Sequence, residues 1–222
     1  MPTRLHDVDP PRPERPTTVT VFDASIQKIL DAALEQFCVL GIRRSSMEDV
    51  ARRAGVGRAT LYRRFETKDD LVSALVQREM RAMVDTIEAV LDAESEPVAR
   101  IVLAWTTGIR MTRQHRLIGA LLSTEPDSIL PSLTLRAGMG IALVRVAMAE
   151  HVRRARAEVG LPDEDAEAIS ELVVRVAHSL ALTPETALPL DDPDSTSAFA
   201  HRVIVPLVFG RTYRANDERP LR

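Results

Sequence analysis

Hydrophobic residues recur along most of the chain at the three- and four-residue spacing of helices that bury one face. The first clear run extends from Ile26 to Phe37, and Gly41 then supplies a residue suited to the left-handed conformation that ends many helices. Alternation of apolar and polar residues, which marks a half-buried strand, appears nowhere in the sequence. The pattern therefore predicts an all-α protein.

Two short helices are predicted after the first one. Ser46 and Asp49 have the spacing of a capping box, in which each side chain bonds the backbone N–H of the other residue. Gly55 is predicted to end the helix that they begin, and a third helix follows over 58–65. Thr67 repeats the capping pattern three residues before an aspartate, and it is predicted to begin a long fourth helix.

The rest of the chain predicts five more helices after a boundary at Pro97, which makes nine in all. Their predicted ranges are 97–114, 116–123, 131–158, 164–182 and 195–211. Asp163 and Ser195 are the expected N-caps of the last two. Pro206 lies inside the final range, so it is expected either to kink that helix or to end it early.

The N-terminal segment differs from the rest in composition. Residues 1–20 contain five prolines and few apolar residues, which predicts a disordered tail. Arg4, Arg12 and Arg15 leave a second interpretation open, in which this tail is a basic arm that reaches a DNA minor groove.

Charge is distributed unevenly along the chain. The net charge is −3, yet the segment 43–68 carries eight basic and three acidic residues, so the remainder carries −8. A short basic segment on an acidic protein is typical of local contact with a polyanion, although a solvated charged surface gives the same count. Aromatic residues make up only 4% of the chain, which favours packed helices over a β-sandwich.

Residues 47–65 satisfy the steric requirements of a helix-turn-helix. Ala51 is small enough for two helices to cross closely, and Gly55 is suited to the sharp turn between them. Val56, Leu61 and Phe65 are spaced to pack the second helix of the pair onto the first. The opposite side of that second helix then faces outward, as a DNA-reading helix must. An alternative is a surface helix whose arginines are only solvated.

Seven residues are candidates for contact with double-stranded DNA. Arginine near the start of a recognition helix can bond guanine in the major groove, and hydroxyls or helix N-termini can bond phosphates. The candidate DNA-binding residues are Ser46, Arg58, Thr60, Tyr62, Arg63, Arg64 and Lys68.

The segments 29–34, 46–56 and 59–65 closely resemble the tetracycline-repressor (TetR) family of bacterial regulators, and the similarity covers about 24–75. Residue types later in the chain also resemble actinobacterial members. The resemblance implies a DNA-binding domain over 21–70 and a helical ligand-binding and dimerisation domain over 71–222. It implies a homodimer through the helices near 164–182 and 195–211, and it assigns DNA contacts to the candidates above. Gly57 and Ala59 differ from some members, so base preference is not transferred.

A ligand pocket is expected in the second domain. The candidate lining is apolar at helical spacing, which fits an apolar or amphipathic small molecule, and it equally fits an ordinary core. The candidate residues are Met83, Ile87, Trp105, Ile109, Met111 and Leu121.

Other classes of function have no support in the sequence. Phosphate-binding loops, nucleophile elbows and metal-ligand spacings are absent, so we predict no enzyme, no metal and no cofactor. A secretory signal and an apolar run of membrane length are also absent, which predicts a cytoplasmic location. The predicted function is a homodimeric repressor that a small, largely apolar ligand releases from a palindromic operator. An activator or an architectural DNA-binding protein of the same fold is the alternative.

Overall fold

Residues 18–163 and 165–210 are the part of the chain that the computed structural model describes, and their regular structure is entirely helical. The first nine helices are α1 (Thr18–Leu40), α2 (Met47–Ala54), α3 (Arg58–Arg64), α4 (Lys68–Leu91), α5 (Pro97–Arg113), α6 (Arg116–Thr124), α7 (Pro126–Leu133), α8 (Gly138–Glu158) and α9 (Ala166–Leu182). The C-terminal helix comprises α10 (Pro193–Phe199), a π-helical segment (Ala200–Ile204) and α11 (Val205–Phe209). The predicted all-α fold is confirmed.

The first core joins the N-terminal helices to α6 and α7. Ile29 of α1, Val50 of α2 and Leu61 of α3 pack in one cluster with Leu71 at the start of α4. The same cluster contains Leu117, Leu121, Ile129 and Leu133 from α6 and α7. Helices of the predicted second domain therefore share their apolar packing with the helix-turn-helix.

The second core lies among α5, α8, α9 and the C-terminal helix. Trp105 of α5 is 3% exposed, and its ring centroid lies 5.7 Å from that of Phe199. Val152 of α8 and Val173 of α9 are buried in the same cluster. The packing of four helices around one tryptophan gives this part of the chain its own apolar centre.

Helix α4 begins in the first core and also packs against α5 and α8, which contribute to the second. It has 24 residues, which corresponds to a length of about 36 Å. Beyond its C-terminal end, the guanidinium of buried Arg100 donates to the backbone oxygens of Glu94 and Ser95 at 3.1 Å each and to Glu158 Oε2 at 2.9 Å. A buried charge is stable only when it is paired, and these bonds pair that of Arg100. They also hold the loop after α4 against the C-terminal end of α8.

The predicted helix over 131–158 is wrong in its first turns. The chain forms α7 and α8 instead, bent by 51° relative to one another. Pro126 occupies the start of α7, where the missing proline N–H costs nothing, and residues 134–137 form a turn before α8 begins. The long apolar pattern was interpreted as one helix because both helices bury one face.

The ends of several helices differ from the prediction. Asp192, rather than Ser195, caps α10, since its Oδ1 accepts from the Ser195 N–H at 2.9 Å. Asp163 does not cap α9, which begins after Asp165 in a left-handed conformation. Helix α1 already begins at Thr18, inside the segment predicted as a tail.

Residues 1–17, including the arginines of the possible basic arm, lie outside the described residues.

Pro206 is accommodated without ending the C-terminal helix. The preceding π-helical segment makes a wider turn, in which the Val205 N–H donates to the Ala200 oxygen five residues back. A proline inside a helix removes one N–H donor and crowds the preceding turn, so a local widening reduces that conflict.

No single helix within 18–163 and 165–210 has both the length and the apolar character needed to cross a membrane. The bent pair of α7 and α8 reaches those limits only when its two helices are taken together.

Candidate DNA interface and core cavity

The start of α2 is fixed by a complete capping box. The Asp49 N–H donates to Ser46 Oγ at 3.1 Å, and the Ser46 N–H donates to Asp49 Oδ2 at 3.3 Å. The Ser46 hydroxyl also donates to that carboxylate at 2.6 Å, and this bond is the main reason why the pKa of Asp49 lies below its usual value. The predicted cap is confirmed, and it places Ser46 at the N-terminal end of a helix.

The turn between α2 and α3 has the geometry that the sequence predicted. Gly55 has φ 66° and ψ 30°, a left-handed conformation that costs other residues free energy. Its N–H donates to the Arg52 oxygen at 3.2 Å, and the Val56 N–H donates to the Ala51 oxygen at 3.0 Å. These two bonds form a Schellman motif, so α3 leaves α2 at a fixed angle.

The outward side of α3 presents the candidate DNA-binding side chains. Arg63 is exposed, whereas Thr60 and Arg64 are half-buried. The Arg58 guanidinium lies 5.4 Å from the centre of the Tyr62 ring, so the two side chains stack on one side of the helix. This arrangement offers cationic and aromatic groups to a polyanion.

Glu48 of α2, which sequence analysis did not identify, holds two of those side chains. Its Oε1 lies 2.9 Å from Arg58 Nη2 and accepts from the Tyr62 hydroxyl at 3.3 Å. Sequence patterns do not predict this contact, because an acidic residue in the first turn of a helix is already explained by its favourable interaction with the helix dipole. In the absence of DNA, the Glu48 carboxylate therefore bonds the Arg58 guanidinium and the Tyr62 hydroxyl, the same groups that would bond a phosphate or a base.

Lys68 lies at the first position of α4, but its ammonium points to backbone oxygens. Nζ donates to the Ile42 oxygen at 2.8 Å and to the Ser45 oxygen at 2.9 Å. Thr67 forms the predicted capping box with Asp70 at the same helix end. Lys68 thus connects the start of α4 to the turn between α1 and α2.

The same turn is bound from the other side by the junction of α6 and α7. Glu125, which is 8% exposed, accepts from the Arg43 backbone N–H at 2.9 Å through Oε2. Arg43 Nη2 also pairs with Asp127 Oδ2 at 3.1 Å. Gly41 has φ +81°, and a Cβ there would lie 2.2 Å from Glu125 Oε1, so the approach requires glycine. Sequence analysis missed Glu125 because 82 residues separate it from Arg43.

An apolar cavity of about 110 Å³ lies between α4, α5, α6, α8 and α9. Four of the six candidate residues line it, namely Met83, Ile87, Trp105 and Ile109. Met111 is half-buried on α5 outside the lining, and Leu121 is buried in the first core. Lining residues that sequence analysis did not select include Met80, Met148, Val173 and Val174.

Polar groups gather where α6 meets the cavity. His115 caps α6, because its Nδ1 accepts from the Ile118 N–H at 3.5 Å, and its Nε2 lies 3.5 Å from Glu79 Oε2. Arg78 donates to the other oxygen of Glu79 at 2.8 Å and 3.1 Å. Burial lowers the pKa of His115, against the opposing effect of Glu79. A neutral imidazole fits this geometry, with Nδ1 as acceptor and Nε2 as donor.

His178 of α9 also lines the cavity, and its Nε2 lies 2.8 Å from the Leu133 oxygen. A carbonyl oxygen only accepts, so Nε2 carries the proton. Among the described residues, no group of three or more histidine, cysteine, aspartate or glutamate side chains is arranged to hold a metal ion.

Comparisons with known proteins identify the arrangement. Residues 29–75, which extend from α1 into α4, match the family model for bacterial regulatory proteins of the tetR family. An uncharacterized HTH-type transcriptional regulator of Mycobacterium tuberculosis is 29% identical over 188 residues, which cover 84% of this chain and 86% of that protein. This chain belongs to the TetR family. Residues 29–75, which match the family model, contain the helix-turn-helix, and the chain is a DNA-binding transcriptional regulator.

Solved TetR-family structures extend the similarity in fold beyond the N-terminal helices. The repressor AlkX from Dietzia sp. strain DQ12-45-1b, implicated in biodegradation of n-alkanes, has a TM-score of 0.62 at 22% identity and covers 82% of this chain and 94% of its own. A TetR-family regulator from Pectobacterium atrosepticum has a TM-score of 0.63 at 16% identity, and the similarity covers 85% of this chain and 94% of that protein. At these identities the comparison establishes the shared helical architecture.

Proposed function

We propose that this TetR-family chain is a homodimeric repressor that binds a palindromic operator and is released when a small apolar molecule enters the core cavity. The observation that carries the proposal is the position of α6. His115, Leu117 and Ile118 of this helix line the cavity, and Leu117 also belongs to the core shared with α1–α3. One helix therefore contacts both the ligand space and the DNA-binding unit.

DNA contact is proposed for the outward side of α3 and the neighbouring helix ends. Arg58 and Arg63 are placed to reach base edges or phosphates, and Tyr62 contributes its hydroxyl. Ser46 and Lys68 lie at helix N-termini, where backbone N–H groups favour phosphate. Lys68 would also act indirectly, through its bonds to the turn between α1 and α2. Thr60 and Arg64 complete the proposed set.

Exposed apolar side chains support a dimer through the last two helices. Leu172 and Val176 of α9 are 56% and 43% exposed, and Val203 and Leu207 of the C-terminal helix are 44% and 39% exposed. Large exposed aliphatic groups at helical spacing are typical of a surface that packs against a second copy. Such a dimer would present two α3 helices to half-sites about 34–36 Å apart.

Release by a ligand follows from the contact between α6 and the helix-turn-helix. A displacement of α6 would move Glu125 at its C-terminal end, and Glu125 bonds the backbone of Arg43 just before α2. Reorientation of α3 in each protomer would change the distance between the two recognition helices. A coupling free energy of about 1–3 kcal/mol is sufficient to change DNA affinity by about 5- to 150-fold.

The test is selection of binding sites from random duplex DNA by the full chain, followed by titration of the enriched duplex at several salt concentrations. We expect a palindrome and a slope in log K against log salt of about −0.9 per phosphate contacted. Binding without sequence preference would instead indicate an architectural protein. A promoter reporter that rises with the protein would indicate an activator.

Arg63→Ala tests whether the proposed surface is the one that binds DNA. We expect operator affinity to fall at least about tenfold, consistent with the loss of one base or phosphate contact by an arginine. Arg110→Ala is the matched control, since Arg110 is an exposed arginine on α5 and its loss changes the charge equally. Equal losses in the two variants, measured by fluorescence anisotropy, would contradict the assignment of α3.

A further inference from the structure

Trp105 carries a polar group that its surroundings do not satisfy. It is the only tryptophan of the chain, it is 3% exposed, and it lines the core cavity. Its Nε1–H is buried, and no hydrogen-bond partner for it exists among the described residues. An indole nitrogen can only donate, and buried donors in folded proteins are nearly always paired. A cavity beside an unpaired buried donor is suited to a ligand that brings the acceptor.

The charges around the cavity limit the class of ligand. The described lining residues include no lysine and no arginine, and their one carboxylate is Glu79. Glu79 is already paired with Arg78 and lies near His115. An anionic ligand would find no cationic side chain in the lining, and a cationic one would compete with the existing ion pair between Arg78 and Glu79. Both would lose hydration without compensation, so a neutral ligand fits best.

The volume of the cavity limits the size of the ligand. At about 110 Å³ it is somewhat smaller than an engineered apolar cavity of about 150 Å³ that admits benzene. Met80, Met83 and Met148 contribute to the lining, and methionine side chains rearrange readily. A compact molecule comparable to a six-membered ring therefore requires little more than methionine rotation.

We propose that the cavity binds a small neutral molecule that is apolar except for one hydrogen-bond acceptor, such as a ketone or ether oxygen, and that the Trp105 Nε1–H donates to this acceptor. The description of this molecule as the effector rests on the proposed function. The binding itself does not, since it can be measured without DNA.

Cyclohexanone and methylenecyclohexane form a matched pair of probes, because they have nearly the same shape and only the ketone has an acceptor oxygen. The full-length protein, labelled with ¹⁵N, gives one indole N–H signal because it has one tryptophan. We expect cyclohexanone to move the indole proton downfield and methylenecyclohexane to leave it nearly unchanged. Equal shifts with both probes, or no shift with cyclohexanone at its solubility limit, would overturn the proposal.

Trp105→Phe measures the contribution of the N–H to affinity. Dissociation constants for both probes are read from ¹³C-methyl signals of the methionines, which remain visible in the variant. We expect the preference for cyclohexanone over methylenecyclohexane to fall about tenfold in Trp105→Phe, as one hydrogen bond predicts. Ser170→Ala is the control, since it removes a second buried polar group, a hydroxyl without a hydrogen-bond partner in the described part of the chain, and Ser170 lies outside the lining. An unchanged preference in Trp105→Phe would overturn the assignment.

A variant that blocks the cavity keeps the test decisive if Trp105→Phe fails to fold. Gly108 lines the cavity, and a Cβ there would lie 3.9 Å from Ile87 Cδ1, so a leucine at this position would extend into the space. We expect Gly108→Leu to abolish the indole shift caused by cyclohexanone. A shift that persists would place the ketone elsewhere, and tighter binding of hexanoate than of cyclohexanone would exclude a neutral ligand.

Operator binding is measured separately, so failures of the two proposals are distinguishable. If cyclohexanone shifts the indole signal but the operator stays bound, the result contradicts ligand release and leaves the binding proposal intact. Release of the operator by hexanoate without any indole shift would contradict the ligand class only.

Discussion

At the scale of single residues, Glu48 contacts two of the side chains that are proposed to bind DNA. Its carboxylate pairs with Arg58 and accepts from Tyr62, yet it lies on a surface proposed to meet phosphates. The pair is largely exposed, so its contribution to the free energy of unfolding is at most about 1 kcal/mol. We expect its effect on DNA binding instead, because its negative charge would repel phosphates and it pairs with Arg58, which is proposed to contact DNA.

We expect Glu48→Gln to tighten operator binding about three- to tenfold at low salt, with little change in thermal stability. The variant removes one negative charge from the interface and frees Arg58 from its ion pair. Fluorescence anisotropy against the selected operator measures the effect. Asp85→Asn makes the same charge change at an exposed position of α4 outside the helix-turn-helix, and it should leave affinity nearly unchanged. Weaker binding by Glu48→Gln would mean that Glu48 orients Arg58 and Tyr62 productively.

His115 gives stability a pH dependence of known sign. Burial lowers the pKa of His115 in the folded protein. Below about pH 6.5, the imidazole therefore binds a proton in the unfolded chain more readily than in the folded one. The free energy of unfolding should therefore fall as pH decreases from neutral towards the lowered pKa. His151, whose pKa is also lowered mainly by burial, acts in the same direction.

Urea unfolding at pH 7.0 and pH 5.5 tests this expectation. His115→Asn keeps an acceptor suited to the N-cap of α6 and removes the titration, so it should reduce the loss of stability on acidification. His151→Asn should remove a separate part, and the double variant should remove more than either one. If His115→Asn loses as much stability between the two pH values as the parent, His115 does not contribute to the pH dependence.

At the scale of elements, Glu125 connects α6 and α7 to the turn before α2. We expect Glu125→Ala to lower the free energy of unfolding by about 1–3 kcal/mol, because the Arg43 N–H would lose its acceptor. We also expect a cavity ligand to leave the operator affinity of this variant nearly unchanged. Urea unfolding and anisotropy with and without ligand measure the two effects.

Asp127→Asn is the matched control for that variant. Asp127 pairs with the side chain of the same Arg43, but it is 82% exposed, so its loss should change stability by less than about 1 kcal/mol. Ligand release should persist in this control. Full ligand release in Glu125→Ala would show that coupling passes through other contacts, of which the core around Leu117 is the nearest candidate.

Local signals explain which elements could be predicted from the sequence. The capping boxes at Ser46 and Thr67 and the left-handed turn at Gly55 depend on residues within a few positions of each other, and all three are present. The break between α7 and α8 and the contact of Glu125 with Arg43 depend on tertiary packing. Periodicity also identifies buried faces without distinguishing a cavity from a core, which is why Leu121 was selected together with Met83.

At the scale of the whole molecule, the exposed aliphatic residues form more than one group. Leu172 and Val176 lie on α9, whereas Leu135 lies in the turn before α8 and Met139 in the first turn of α8, where they are 90% and 68% exposed. Exposure alone therefore does not identify the dimer interface. The proposed interface has a second line of support, since two adjacent helical turns of α9 and two of the C-terminal helix each carry such a residue.

Leu172→Asp and Leu135→Asp distinguish the two groups, because each variant introduces the same charge at an exposed leucine. We expect Leu172→Asp to give a folded monomer in sedimentation equilibrium, since a buried carboxylate on each side of a two-fold interface is unfavourable. Its affinity for the full palindrome should fall at least about 100-fold and approach that for a single half-site, because the two α3 helices no longer bind as one unit. Leu135→Asp should remain a dimer with normal affinity. The reverse outcome would place the interface at the start of α8, and the spacing of the half-sites would then have to be derived from that geometry.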